Sequence, residues 1–153
     1  MDKAKAKNFY DKGVQHHYIV HGYDPEEFKP GDYQRNNKIL TVANVFAKRA
    51  EIMGYPLWLD IKKEIKEIDL LGHGNEGVKN HLKEADSLDE LIWYYSTYGI
   101  FFNPTKESAM PRSRAEAMMC GMPMVTTNNY DIGKYLKHQE NAILSNNKDV
   151  LVK

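Results

Sequence analysis

Apolar positions along the chain fall into short blocks separated by polar stretches with glycine or proline, and the period inside each block separates strands from helices. Residues 38–46, "KILTVANVF", form a nearly continuous apolar run. That is the pattern of a strand covered on both faces, central in a parallel sheet. "IDLLG" (68–72) reads the same way, "IFFNP" (100–104) as a strand stopped by Pro104, and "PMVTT" (123–127) and "NAILS" (141–145) as two more. "HHYIV" (16–20), β-branched and aromatic, predicts a further strand that ends at the turn signals of "HGYDPEEFKPGD". Between these lie helical patterns. "KRAEIMG" and "PLWLDIKKEIKE" are two pieces divided by Gly54 and Pro56. "SLDELIWYYSTYG" opens with Ser87 and, three residues on, Glu90, a capping box, and it sets Leu88, Leu91, Ile92 and Tyr95 on one face. A Met-rich helix ends at Gly121, and a short one surrounds "YDIGKYLK" (130–137). Strand and helix alternating at this pitch predict an α/β fold, an open parallel sheet with helices on both faces. Such sheets bind ligands at the carboxyl ends of their strands.

Composition narrows the class. A length of 153 residues suits a single domain that buries roughly two-thirds of its unfolded surface. With 21 basic and 21 acidic residues the formal net charge is zero, so nothing global draws the chain to nucleic acid or to an acidic membrane surface. Any anion site must be local. The lone cysteine, Cys120, lies in an apolar helical run and reads as a buried thiol in a reducing compartment. No stretch approaches the length of a membrane span, and "MDKAKAKNFYDKG" lacks the apolar core of a signal peptide. The expectation is a cytoplasmic protein with a helical lead-in over residues 1–15.

Three loops at strand ends hold the candidate chemistry. "GHGNEG" places Gly72, Gly74 and Gly77 in the G-x-G-x-x-G spacing. A dinucleotide fingerprint belongs in the first strand-to-helix turn, with an acidic residue closing the next strand, and "KNHLKEADS" supplies no such strand end. A tight glycine turn lining the cleft is the better reading. In "ANVFAKRAEIMG", Lys48 and Arg49 begin a helix, where two cations oppose the macrodipole by roughly 0.3–1 kcal/mol. They are either a solvated basic pair or the compensated half of an anion site. After Pro104, "TKESAM" forms a loop, Pro111 suits a first helical turn, and the unpaired amides around it suit a phosphate. Arg112 and Arg114 add charge. Glu116, one turn into the helix, is either a favourable first-turn acid or a carboxylate that accepts hydrogen bonds from two adjacent hydroxyls.

"IFFNPTKESAMPRSRAEAMMCGMPMVTT" resembles the nucleotide-sugar site of family 4 GT-B glycosyltransferases, whose signature is a strand, a small-residue loop and an "EAM-x-x-G-x-P-x-V-x-T" run. "HYIVHGYDPEEF", "ILTVANVFAKRAEIMG" and "LLGHGNEG" match, in order, the lead-in to that family's C-terminal domain, its phosphate-binding strand and loop, and its second glycine turn. The resemblance covers about residues 16–145 and implies a Rossmann-like domain, one half of a GT-B enzyme. By it, Glu116 holds the ribose hydroxyls, and Ala109, Met110, Arg112 and Ser113 belong to the loop whose amides meet the diphosphate. Gly72 and Gly74 line the cleft, and Arg49 neutralises the leaving diphosphate. The chain departs from the family in three places. Ser108 stands where a first glutamate is usual, with Glu107 one place early; Asn44 stands where an arginine is usual, so that Lys48 or Arg112 supplies the charge; and Pro111 replaces a glycine.

The resemblance implies a retaining glycosyltransferase using a nucleoside diphosphate sugar as donor, with an acceptor-binding N-terminal domain supplied in cis or in trans. Fixed cations and backbone dipoles suit the anion that develops on a departing diphosphate. No cofactor and no metal is expected, since His16 and His17 are adjacent rather than a helical turn apart and His73 lies in a glycine turn. One alternative is a non-catalytic nucleotide or nucleotide-sugar binding module acting with a separate chain. A second, a sugar-nucleotide epimerase of similar fold, needs catalytic acids and a histidine that have no place here.

Overall fold

The structure, a computed structural model, describes residues 21–108 and 110–153. The strand expected over 16–20 and the helical lead-in over 1–15 lie outside the described residues, as does Ala109. Six strands, β1 (Ile39–Val42), β2 (Ile68–Leu71), β3 (His81–Leu82), β4 (Ile100–Asn103), β5 (Met124–Thr126) and β6 (Ala142–Leu144), form one sheet in the order β3-β2-β1-β4-β5-β6. Every pairing is parallel, so the loops that leave the strands all gather along one edge. Among the described residues five α-helices accompany them: α1 (Ala50–Met53), α2 (Tyr55–Glu64), α3 (Leu88–Thr97), α4 (Arg112–Met119) and α5 (Lys148–Leu151).

The strand period of two divides the core. Leu40, Leu71, Phe101, Met124, Ala142 and Leu144 face Tyr95 of α3 and Ala117 of α4, with Ile132 and Leu136. Their neighbours Ile68, Leu70 and Phe102 face Trp58 and Ile61 of α2 and Leu151 of α5. Helices on both faces follow, as the pattern predicts. Trp58 is fully buried and its Nε1 donates to Thr41 Oγ1 at 3.0 Å, which satisfies the one polar atom of the largest core side chain. Arg35 donates to the carbonyls of Tyr95, Tyr98 and Cys120, each at 2.8 Å, and so ties the carboxyl ends of α3 and α4 together.

Several boundaries differ from expectation. β1 stops at Val42, and the apolar residues that follow leave the sheet: Val45 turns the chain at φ 48, and Phe46 packs edge-on to Tyr55 and Trp58 at 5.0 and 5.7 Å. An apolar run reports burial, not extension. The segment "KNHLKEADS" does contain a strand, β3, whose two residues pair with Leu70 and Leu71 at the sheet edge and are too few to show a period. Helix α5 was not anticipated; Asn147 caps it by accepting from the Asp149 amide at 2.9 Å. In α3, Ser87 accepts from Glu90 N at 3.1 Å, while Glu90 reaches back to Asp86 N at 2.6 Å, one residue earlier than in the usual box. Tyr95 is buried as expected, but Leu88 is exposed, because only the second half of α3 lies over the sheet.

Candidate functional site

The loops after β1 and β2 are built as one piece. Ala43 N donates to Leu71 O and Val45 N to His73 O, both at 2.9 Å, which extends the strand ladder past the sheet. Asn75, 2% exposed, donates to the carbonyls of Ala43 and Gly72 at 2.7 and 2.9 Å and accepts from Phe46 N at 2.8 Å. Asn44 Oδ1 accepts from His73 N at 3.1 Å. Gly72 and Gly74 face this loop so closely that a Cβ would lie 2.4 Å from Ala43 O and 2.5 Å from Val45 Cγ1 respectively. Their glycine character therefore serves loop-to-loop packing at the carboxyl edge of the sheet. Lys48 and Arg49 end a short 3-10 turn, Ala47–Arg49, rather than opening a helix outright, and Arg49 is the N-cap of α1. Both are exposed, and neither forms an ion pair among the described residues.

The loop after β4 is held from several sides. Arg114 is fully buried, not a solvated cation: its Nη2 donates to Asn103 Oδ1 at 2.8 Å and its Nη1 to Ser108 O at 3.4 Å. Burial pulls its pKa down to about 9, which still leaves it charged at neutral pH. The amides of Lys106 and Glu107 both donate to Ile52 O, the carbonyl near the end of α1. Thr127 Oγ1 donates to Thr105 O at 2.5 Å, and Asn129 Nδ2 donates to the carbonyls of Thr105 and Lys106. Glu107 is exposed, and Ser108 and Met110 are half-buried.

Pro111 is the N-cap of α4 rather than its first helical residue, and no side chain caps that end. The first amides of α4, at Arg112 and Ser113, thus face the same edge as Lys48 and Arg49. Glu116 is 7% exposed; Tyr95 donates its hydroxyl to Oε2 at 3.0 Å, and Arg112 Nε lies 3.8 Å from Oε1. Burial, then Glu116, pushes the Tyr95 phenol well above its ordinary range, so it remains a donor to the carboxylate. Among the described residues no group of three or more His, Cys, Asp or Glu side chains could hold a metal ion, and no helix is long and apolar enough to cross a membrane.

Cys120, the C-cap of α4, is fully buried, and burial pushes its thiol up to about 11. The thiol's contribution to stability is complete below its ordinary pKa near 9 and is lost as pH rises through about 11. At pH 8, iodoacetamide should label Cys120 on the order of 100-fold more slowly in the folded chain than in urea. Equal rates would place the thiol at the surface.

Two residues that matter to the geometry carry no signal in the sequence, Asn75 inside the glycine turn and Asn103 at the close of β4, while Arg114, expected to add charge to the site, is instead buried beneath the loop. Arg114 opens a run of four consecutive buried residues, Arg114–Ala117, so no one-sided period in the sequence marks it.

Residues 37–152 match the model of a family described as Glycosyl transferases group 1. An uncharacterized glycosyltransferase of Haemophilus influenzae is 26% identical over 134 residues, which take in 77% of this chain and 38% of that protein. A mutant of TarM from S. aureus, solved in complex with Fondaparinux, alpha-GlcNAc-glycerol and UDP, is similar with a TM-score of 0.70 at 10% identity, over 98% of this chain and 34% of that one. Sucrose-phosphate synthase from Thermosynechococcus elongatus is similar with a TM-score of 0.68 at 16% identity, over 99% of this chain and 46% of that one. The structural likenesses show the fold, the Rossmann-like sheet of GT-B glycosyltransferases. The chain spans less than half the length of these relatives. With residues 37–152 of its 153 inside the family model, the chain belongs to the group 1 glycosyl transferases.

Proposed function

We propose that this chain is the donor-binding half of a retaining GT-B glycosyltransferase and holds a nucleoside diphosphate sugar at the carboxyl edge of its sheet. The observation that supports this most is a convergence: Lys48 and Arg49, exposed and without ion pairs among the described residues, share that edge with the uncapped start of α4. Cations and free amides gathered there suit the diphosphate. Glu116, with one oxygen held by Tyr95, offers the other to ribose hydroxyls. In transfer, the bond from the anomeric carbon to the diphosphate oxygen breaks, and negative charge grows on that oxygen as the sugar becomes oxocarbenium-like. Arg49, with the Arg112 and Ser113 amides, stabilises that charge in place of a bound metal. Retention of configuration rests on the family resemblance alone.

In this reading the acceptor-binding domain is supplied by further chain or by a separate subunit; one similar solved structure is a GtfA/B complex, and this chain covers 29% of the chain it matches there.

Isothermal titration with a panel of nucleoside diphosphates tests the site. At least one is expected to bind, weakly, because the proposed donor site supplies only one side of a closed cleft. Arg49→Ala should then weaken that diphosphate by about 10-fold or more, the loss of one charge-assisted contact, and leave the parent nucleoside nearly unaffected. If no diphosphate binds at millimolar concentration, the reading fails.

A further inference from the structure

Gly54 separates α1 from α2 in the left-handed conformation, φ 74 and ψ 30, with its amide donating to Ala50 O. Its Cα lies against the loop after β4: a Cβ here would stand 2.0 Å from Pro104 O and 2.8 Å from Pro104 C. Both contacts are to backbone, which has no rotamer by which to withdraw. Two residues earlier, Ile52 O accepts the amides of Lys106 and Glu107 at 2.9 and 3.1 Å. On the far side of the same segment, Asn129 Nδ2 holds the carbonyls of Thr105 and Lys106 at 2.7 and 2.6 Å. Segment 104–107 is therefore pinned between the α1–α2 turn and the loop after β5.

From this geometry we infer that Gly54 and the Ile52 carbonyl act as a positioning clamp, setting the distance between the Lys48–Arg49 turn and the uncapped start of α4. This inference rests on the donor-site reading above and adds to it a device outside the residues that touch the ligand. The argument is mechanical. Lys48 and Arg49 lead directly into α1, and α1 ends in the carbonyl and the glycine that grip residues 104–107. Those residues lead in turn to Pro111 and α4. Cations and helix amides that must meet one diphosphate are thereby set on a common frame. A displacement of about 1 Å between oriented groups can cost on the order of 100-fold when their geometry is matched to one ligand.

The test is hydrogen exchange and titration of the 153-residue chain carrying Gly54→Ala. The added methyl must push Pro104 away, so the Lys106 and Glu107 amides should lose their protection, and diphosphate affinity should fall about 10-fold. Affinity for the parent nucleoside, which does not span the clamped distance, should change less than about 2-fold. Gly77→Ala separates this from backbone strain. Gly77 has φ 89 and nothing within 4 Å of a Cβ, so that variant carries left-handed backbone strain without a clash, and the Lys106 and Glu107 amides should keep wild-type exchange. Should Gly54→Ala fail to fold, Asn129→Ala relaxes the segment from its other side and should give the same split between diphosphate and nucleoside. Wild-type exchange at Lys106 and Glu107 in Gly54→Ala overturns the clamp. Faster exchange with unchanged diphosphate affinity overturns its role in binding. A wild-type chain that binds no diphosphate overturns the donor-site reading instead, with the exchange result still reporting whether the clamp exists.

Discussion

Arg114→Ala should lower the free energy of unfolding by about 3 kcal/mol, measured by urea denaturation, and should loosen the loop after β4 more than any other single change in the candidate site. The variant leaves Asn103 Oδ1 with the Thr105 amide alone and removes the donor to Ser108 O on a half-buried residue, together about 1–2 kcal/mol. It also empties the space of one of the largest fully buried side chains in the domain, which adds a cavity term of similar size. Against these stands a relief. Burial pulls the guanidinium down to about 9, so the folded state bears a cost for holding that cation, and the cost disappears with it. The net effect is smaller than the sum of the losses. Arg114→Lys keeps a cation but loses the fork that reaches Asn103 and Ser108 together, so it should recover less than half of the lost stability. Stability equal to wild type in Arg114→Ala would mean that the loop is held without this side chain.

The second large effect is expected at Glu116. Replacing it by Gln preserves an acceptor for the Tyr95 hydroxyl, so the packing between α3 and α4 should survive and the midpoint of thermal unfolding should move little. Nucleoside diphosphate affinity should fall by about 5- to 150-fold, since a carboxylate that accepts from two hydroxyls becomes a neutral amide, a loss of roughly 1–3 kcal/mol. The parent nucleoside should lose affinity to the same degree, unlike its response to Arg49→Ala. This contrast is informative, because Glu116 is assigned to the ribose and Arg49 to the phosphates. Unchanged affinity in Glu116→Gln would make Glu116 a packing residue that exists to receive Tyr95.

Most of the fold was legible in the sequence, because parallel strands buried on both faces are written as apolar blocks that need no partner to be recognised. β2, β4, β5 and β6 fall within or at one residue of the blocks that predict them, and the break at Gly54 between two helical pieces is where the chain turns. Edges were harder to read. β3 is two residues long and exists by pairing with the backbone edge of β2, so no local pattern encodes it. The end of β1 was misplaced because Ala43 and Phe46 are as buried as the strand itself, although the second belongs to an aromatic cluster with Tyr55 and Trp58.

The candidate site divides along the same line. Residue types and spacing alone determined which loops could hold charge, that a helix follows Pro111 and stops short of Gly121, and that Glu116 lies about one turn inside it, since these depend on neighbours within a few positions. Only the tertiary structure decided the fate of each charge. Arg112 and Arg114 are two residues apart on one helix; the first is exposed beside Glu116, and the second is sealed beneath the loop with Asn103. Asn75 and Ile52 likewise acquire their roles from partners about 30 and 50 residues away in the chain, brought within hydrogen-bond reach by the parallel register of the sheet. Local sequence sets backbone preference and the period of burial. Which polar group faces water and which one must be paired is settled when distant strands align, because desolvation depends on everything that packs around an atom.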